Sequence, residues 1–493
     1  MLSVLLWLPL AFGVVALLVP AARAWVPALA GAVGTLVVAV VFWAGFGSQG
    51  EVPQYAESIS WIPQLGISYS LAIDGLSIFL VLLTALAWVP AVAFAASRKA
   101  GEGRERLFYF MLMLGESATL GAFLASDLIL FVLFFDLMIV PFYFLFGIWG
   151  RDRDGVGAGT ATMRMIIYTL VGSLLMLVGA VALGFAAEDA SGKELSFAIP
   201  DLIAGGIPDS TQYWIFWLFA LAFFIKMPLF PFNGWMPDAY RAAPLPALAL
   251  FSAVLSKVGA YGFLRVVLPV MPDAAELFQT AILIFAVASI IYGSVIAFTK
   301  MDLRLIIGFS SIAQLGFITL GIFALDDTGA NGALFQMVNH GLVVVPAILI
   351  VGLIAERTGS ERLGPMGGLA KNAPIFAVIF LIVTMATLAL PGSPNFIGEF
   401  LILNGTFQAS VAIAIVASSG VALAAYYALR MYQRTMHDPL PPGSDSREIS
   451  LRDGLIVVPM VLAVIVLAFA PQIVLGDTGD AVAAVVEKVG AGG

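Results

Sequence analysis

Apolar runs of about 20 residues, each long enough to cross the ~30 Å hydrocarbon layer of a bilayer, recur along the whole chain. No other feature constrains the fold so tightly. Inside lipid, every backbone polar group must be satisfied by the protein itself, so a span is a helix or part of a closed barrel. The runs lack the alternation over about ten residues that barrel strands require, which leaves helices. Length alone would suggest several soluble domains. Composition overrules that: 61% of the 493 residues are hydrophobic and 11% charged, against roughly 45–50% and 25% in soluble domains.

The expected fold class is therefore all-α integral membrane protein. The runs predict about fourteen transmembrane helices, near residues 2–20, 25–47, 74–97, 107–125, 127–149, 163–186, 213–239, 243–270, 276–299, 301–324, 331–355, 371–407, 409–434 and 452–472. The first, from Met1 to Pro20, has no basic flank and no small-residue cleavage site. It reads as a membrane helix and not as a removed signal peptide. Most of the 23 lysines and arginines fall in alternate connections, among them Arg98 to Arg106, Arg151 with Arg153, Lys300 with Arg304, Arg357 to Lys371, and Arg430 to Arg452. Basic residues favour the cytoplasmic side. Both termini are thus expected on the non-cytoplasmic side of a bacterial inner membrane.

Several function classes drop out. The chain has no cysteine, so disulfides, thiolate metal sites and iron–sulfur ligation are excluded. Two histidines, His340 and His437, cannot supply a haem or multi-histidine metal site. A net charge of −8 on a chain of this length does not point to nucleic acid. No redox cofactor is expected to bind here.

Two of the predicted helices are interrupted. One carries Lys226-Met-Pro-Leu-Phe-Pro231-Phe-Asn-Gly234, the other Pro391-Gly-Ser-Pro394-Asn-Phe-Ile-Gly398-Glu399. Proline removes a backbone donor and clashes with the preceding turn, so both are breaks or strong kinks. Irregular backbone at membrane depth is tolerated only inside protein or beside a wet cavity. Paired broken helices point to an ion path and to two structural halves.

Charges within the apolar runs are few, and each costs roughly 2.5–3.5 kcal/mol at a helix centre. They are Glu116, Asp136, Lys226, Lys257 and Glu399, with His340 as a neutral titratable group. Acids, lysines and an imidazole in one oily bundle suit a proton relay. A desolvated lysine can drop from ~10.4 to ~5–6, and a nearby carboxylate pushes it back. Each residue also has a plainer reading. Lys226 could snorkel to the headgroups, and Lys257 and Asp136 could serve structure alone. Glu399 could cap a half-helix, while Glu116 and His340 could be satisfied core groups. Asp74 reads as a helix cap and His437 as a surface residue.

Longer stretches resemble a known family. Ile73-Asp-Gly-Leu-Ser77, Asp136-Leu-Met-Ile-Val-Pro-Phe-Tyr143, Lys226 to Asp238, Leu255 to Arg265, Asp302-Leu-Arg-Leu-Ile306, Ser310-Ser-Ile-Ala-Gln-Leu-Gly316 and Gly332 to Gly341 are similar to the antiporter-like subunits of respiratory complex I. The resemblance covers residues from about 65 to 436. Glu399 is the mark of one subunit type, because sister subunits usually carry lysine there. The resemblance implies two inverted five-helix repeats, each with one broken helix. The corresponding division is an N-terminal three-helix segment (1–106), repeats at 107–270 and 271–436, and a C-terminal helix and tail (437–493).

It also implies an acid–lysine pair, Asp136 with Lys226, then Lys257, His340 and Glu399 in series. The chain would be a proton-translocating subunit of NADH–quinone oxidoreductase, with no catalytic redox residue of its own. NADH, FMN, iron–sulfur clusters and quinone would be used elsewhere in the complex. Partners would be other membrane-arm subunits, including sister antiporter-like subunits, and the lipid bilayer. The chain departs from the family in having Asp136 where glutamate is usual, and Asn233, Tyr240 and Gln314 where histidines are common. Alternatives are a subunit of a multisubunit Na⁺/H⁺ antiporter or membrane-bound hydrogenase, or a proton-silent subunit that only lengthens the membrane arm.

Overall fold

The computed structural model describes residues 1–47, 53–153, 155–442 and 444–490, so the last residues of the expected C-terminal tail, 491–493, lie outside it. The predicted apolar runs form helices. In chain order they are α1 (Leu2–Leu18), α2 (Trp25–Ala44), α3 (Ile78–Ser97), α4 (Glu105–Leu124), α5 (Leu128–Leu137), α6 (Ile139–Trp149) and α7 (Ala158–Ser191). A short α8 (Ile199–Ala204) precedes α9 (Asp209–Lys226) and α10 (Met236–Ala242). Then come α11 (Leu245–Val270), α12 (Pro272–Thr299), α13 (Leu303–Ile322) and α14 (Asp327–Thr358). The chain continues through α15 (Pro374–Thr387), α16 (Pro394–Ala409), α17 (Val411–Met436), α18 (Leu451–Phe469) and α19 (Gln472–Gly490). Among the described residues, 11 helical spans are long and apolar enough to cross a membrane, and α1 and α15 are shorter apolar helices.

Side chains mark where several helices begin. The Asp127 carboxylate accepts from the Ile129 and Leu130 amides at the start of α5, Asp302 from Leu305 at α13, and Asp326 from Gly329 at α14. Each satisfies backbone donors that a helix start leaves open.

Both predicted breaks are present. α9 stops at Lys226, and the chain turns through residues 227–235 before α10; α15 and α16 are separated by residues 388–393. The backbone groups freed at the first break find partners. Trp235 Nε1 donates to the Ile225 carbonyl at 3.1 Å, and the Phe230 amide donates to Ser289 Oγ at 3.0 Å. The run expected as one helix over 127–149 is interrupted at Met138, just after Asp136, where Pro141 follows within one turn. α11 is continuous but contains π-helical turns at Phe251–Leu255 and Phe263–Val267, one on each side of Lys257. Such wide turns concentrate at functional positions in helices.

Two elements were not anticipated. Strands β1 (Gln54–Ile62) and β2 (Ile67–Ile73) form an antiparallel hairpin between α2 and α3. Gly66, at φ +62°, makes its turn, and a Cβ there would lie 1.9 Å from the Leu195 carbonyl oxygen. α19 follows α18 and buries Val474, Ala481, Val482 and Val485, so it is a packed amphipathic helix where a tail was expected. Both escape hydropathy reading because neither holds a long apolar run.

Burial separates inner helices from outer ones. The spans of α11, α13 and α14 are 100% buried, whereas those of α7, α12, α17 and α18 are buried over less than half of their most apolar window. The inner three therefore have no lipid-facing side. The basic connections gather at one end of the bundle. There Arg98 pairs with Glu356 and Asp453, Arg153 and Arg304 both pair with Glu361, and Arg452 donates to the Ser97 carbonyl. A cavity of about 770 Å³ opens among these residues. The β-hairpin lies at the opposite end, where Leu71 bridges to Ala125 beyond the C-terminus of α4.

Candidate functional site

The buried ionisable groups lie on the inner helices and at the two breaks. Lys226 is the last residue of α9, and its side chain is 5% exposed. Its Nζ donates to the Phe135 carbonyl at 3.1 Å and lies 4.4 Å from the centre of the Phe135 ring. Asp136, which follows Phe135, is half-buried at the end of α5, and its Oδ1 has no partner among the described residues. Asp136 and Lys226 form no hydrogen bond or ion pair with each other. The expected acid–lysine pair is brought together without contact: the lysine spends its bond on a carbonyl, and the aspartate is one methylene shorter than glutamate.

Lys257 is fully buried on α11. Its Nζ donates to the Ser252 carbonyl at 2.7 Å and to Ser256 Oγ at 3.3 Å, pointing back over the preceding π turn. Ser252 Oγ accepts from the Tyr240 hydroxyl at 2.8 Å and meets Ser311 Oγ at 3.4 Å. Gly259 and Gly262 let α11 approach the end of α9 closely. A Cβ at 259 would lie 2.7 Å from Met227 Cγ, and one at 262 would lie 2.3 Å from the Phe223 ring.

His340 lies on α14, which packs against α11: a Cβ at the next residue, Gly341, would lie 3.0 Å from the Ala253 carbonyl oxygen. His340 lines a cavity of about 10 Å³ with Ser310, Gln314, Thr387 and Asn395. That volume holds about one water. His340 Nδ1 and both polar atoms of the Asn395 amide have no partner among the described residues, a donor and acceptor set that suits such a water. Gln314 Nε2 donates to Glu399 Oε1 at 2.7 Å, and Gln336 Nε2 donates to Gln314 Oε1 at 2.7 Å. Glu399 is 3% exposed and sits in the second turn of α16, so it does not cap the helix: Ser393 does, accepting from Phe396.

The structure thus gathers Lys257, His340, Gln314 and Glu399 along one polar seam, while Lys226 and Asp136 lie near the first break with no hydrogen bond joining them to it among the described residues. It does not bring Glu116 into the seam. That carboxyl is fully buried on α4, and neither oxygen has a partner among the described residues. Asp74 does not cap α3, whose N-cap is Ser77; it accepts from the Leu76 and Ser77 amides in the turn before that helix and pairs with Arg265.

Sequence reasoning passed over Ser252, Ser256, Gln336 and Asn395. A usable signal existed. Ser252 and Ser256, Ser310 and Gln314, and Gln336 and His340 each lie four residues apart, which puts each pair on one helix face.

Comparisons with known proteins agree with the fold. Residues 125–424 match the family model described as NADH:quinone oxidoreductase/Mrp antiporter, TM. The chain is 36% identical to NADH-quinone oxidoreductase subunit M of Rhodobacter capsulatus, over 99% of this chain and 96% of that one. It is 34% identical to the subunit of the same name from Mycobacterium tuberculosis, over 99% and 94%. A chain of respiratory complex I from Thermus thermophilus superposes with a TM-score of 0.90 at 29% identity, covering 99% and 100%. A chain of the Mrp complex from Dietzia shares the fold, with a TM-score of 0.86 at 22% identity over 99% of each chain. Together with its apolar spans, these matches show that the chain belongs to the multi-pass membrane family of NADH:quinone oxidoreductase and Mrp antiporter subunits.

Proposed function

We propose that this chain translocates protons as a membrane-arm subunit of an NADH–quinone oxidoreductase, through Asp136, Lys226, Lys257, His340 and Glu399. One observation carries the reading. Lys226, Lys257, His340 and Glu399 are all buried, yet none is closed in an ion pair among the described residues. Burying a charge is costly unless something is gained by it. Neutral partners leave these groups free to change protonation, which ion pairing would oppose.

Quinone reduction elsewhere in the complex would move charge along the seam. Separating Asp136 further from Lys226 would lower the lysine's proton affinity and send its proton toward Lys257. His340 and the small cavity beside it would pass it on to Glu399, with Gln314 and Gln336 orienting that carboxyl. Pumping runs uphill by about 2.3 kcal/mol per charge per 100 mV, so the chain needs coupled partners. Sister subunits and other membrane-arm subunits would supply them. This chain would hold no redox group; NADH, FMN, iron–sulfur clusters and quinone would act elsewhere. Glu116, off the seam, would be a reserve site reached by water.

The two breaks support a division into inverted five-helix repeats over 107–270 and 271–436, flanked by 1–106 and 437–493. The gathered basic residues support a cytoplasmic assignment for that end, with both termini on the other side. Replacing Lys226 with Met should abolish proton pumping in assembled complex while quinone reduction persists. Wild-type pumping would refute the assignment. A second reading, a proton-silent subunit that extends the membrane arm, is favoured by the missing contact between Asp136 and Lys226. It predicts unchanged pumping stoichiometry for Asp136→Asn.

A further inference from the structure

Lys257 shares its helix face with two residues that the seam does not use. Tyr261 and Arg265 follow at four-residue intervals, toward the hairpin end of α11. Arg265 donates from Nη1 and Nη2 to the two oxygens of Asp74, at 2.5 and 2.8 Å, and from Nε to the Tyr261 hydroxyl at 2.8 Å. The Tyr261 hydroxyl in turn donates to the Phe123 carbonyl at 3.0 Å. Asp74 Oδ1 also accepts from the amides of Leu76 and Ser77. The rings of Phe123 and Phe131 close round Tyr261, with centroids 5.2 and 6.4 Å from its own. The groups on this line are therefore occupied by protein partners, and the space between is aromatic.

A hydrogen-bonded wire passes a proton only if each link can both accept and donate. Guanidinium has five donors, no acceptor, and does not lose its proton in proteins. A proton moving along this face from Lys257 toward the hairpin end must pass Arg265, which offers it no lone pair. Lys257 itself points the other way, toward Ser252.

We propose that Tyr261, Arg265 and Asp74 form a proton plug. It seals the hairpin end of the Lys257 helix, so that protons held on Lys257 leave through His340 and Glu399 and do not short-circuit. This rests on the translocation reading above. Asp74 and Tyr261 are positioning residues here: they hold the guanidinium across the path.

The test is passive proton leak in membrane vesicles containing the complete complex, without NADH. A potassium diffusion potential drives protons, and an internal pH dye reports them. Arg265→His introduces an imidazole that both accepts and donates, and should speed the leak about tenfold, equivalent to ~1.4 kcal/mol of barrier. Arg265→Lys keeps a donor-only cation, because the Asp74 carboxylate beside it opposes loss of its proton, and should stay as tight as wild type. Equal tightness in both variants overturns the proposal. Equal leakiness also overturns it, because disturbed packing would then suffice. Should the histidine variant fail to assemble, Arg265→Gln, which also accepts and donates, is compared with Arg265→Lys under the same criteria. The leak is read with the complex idle, so failure of the plug is distinct from failure of the pump reading, which shows as intact pumping in Lys226→Met.

Discussion

The charges at the basic end of the molecule and those along its central seam are built on opposite principles. At the basic end Arg98, Arg153, Arg304 and Arg452 are each closed by a carboxylate or by a backbone carbonyl. Arg304 donates to both oxygens of Glu361 at 2.6 and 3.0 Å and to the Ala243 carbonyl, and Arg153 joins the same carboxylate. Burial pushes the Glu361 carboxyl up, but Arg304 and Arg153 outweigh it and hold it below the ordinary carboxylate range. In the seam and at the first break, Lys226 and Lys257 bond only to carbonyls and a hydroxyl, and Glu399 to an amide. Closed pairs fix structure and protonation together. Open groups cost more to bury and are worth that cost only if their charge changes.

The contrast can be broken from the seam side by giving Lys257 a fixed counter-charge. Ser256 Oγ lies 3.3 Å from Lys257 Nζ, so Ser256→Asp places a carboxylate beside it. Pumping per NADH should fall by about tenfold or more, since a nearby opposite charge shifts a lysine by one or more pKa units. Quinone reduction and assembly should persist. Normal pumping would show that Lys257 need not change state, and the distinction between the two regions would lose its meaning.

It can be broken from the other side at Glu361. Glu361→Gln leaves Arg304 and Arg153 without their shared carboxylate, a loss of roughly 3 kcal/mol for a buried pair. The effect on pumping should be far smaller than the effect on stability. The pH dependence has a definite sign. A carboxylate held below its unfolded value stabilises above that value, and the contribution is lost as pH falls through the folded one. The gap in thermal stability between wild type and Glu361→Gln should therefore be widest near neutrality and close on acidification below the ordinary glutamate range. A gap that stays constant down to pH 3 would mean the pair contributes nothing.

A smaller effect is expected where the seam is set by packing. A Cβ at Gly262 would lie 2.3 Å from the Phe223 ring on α9, closer than any side chain tolerates. Gly262→Ala should push α11 and α9 apart at a cost of about 1–3 kcal/mol. Lys226, three residues beyond Phe223, should shift with the end of α9, so pumping should drop more than quinone reduction does. Equal losses would indicate general damage instead.

How much of this was legible in the sequence differs between the two regions as well. Hydropathy found the helices, of which eleven spans among the described residues are long and apolar enough to cross a membrane, and proline found both breaks. The seam was legible only as a set of isolated charges, since a buried lysine is conspicuous by type. Its neutral members were not conspicuous. Serine, glutamine and asparagine are common in membrane helices, and their role shows only once α11, α13 and α14 stand side by side. The pairings at the basic end join residues as far apart as Arg98 and Asp453, which no local pattern announces. The hairpin and α19 were missed because their stability comes from tertiary contacts, such as the bond from Trp43 Nε1 to Asp477 at 3.2 Å.

Asp136 stands on the border between the two principles, and the smallest predicted change tests it. It follows the residue whose carbonyl accepts from Lys226, and yet it is not bonded to Lys226 itself. Asp136→Glu adds one methylene, enough reach to convert the open arrangement toward a closed pair. If separation from its acid is what releases the proton of Lys226, the longer side chain should still part from the lysine during turnover, and pumping should change by no more than about twofold. Asp136→Asn removes the modulating charge and should depress pumping far more than the glutamate variant does. Asparagine and glutamate variants that pump alike would mean that Lys226 does not answer to Asp136, and the first step of the seam would have to begin at another group.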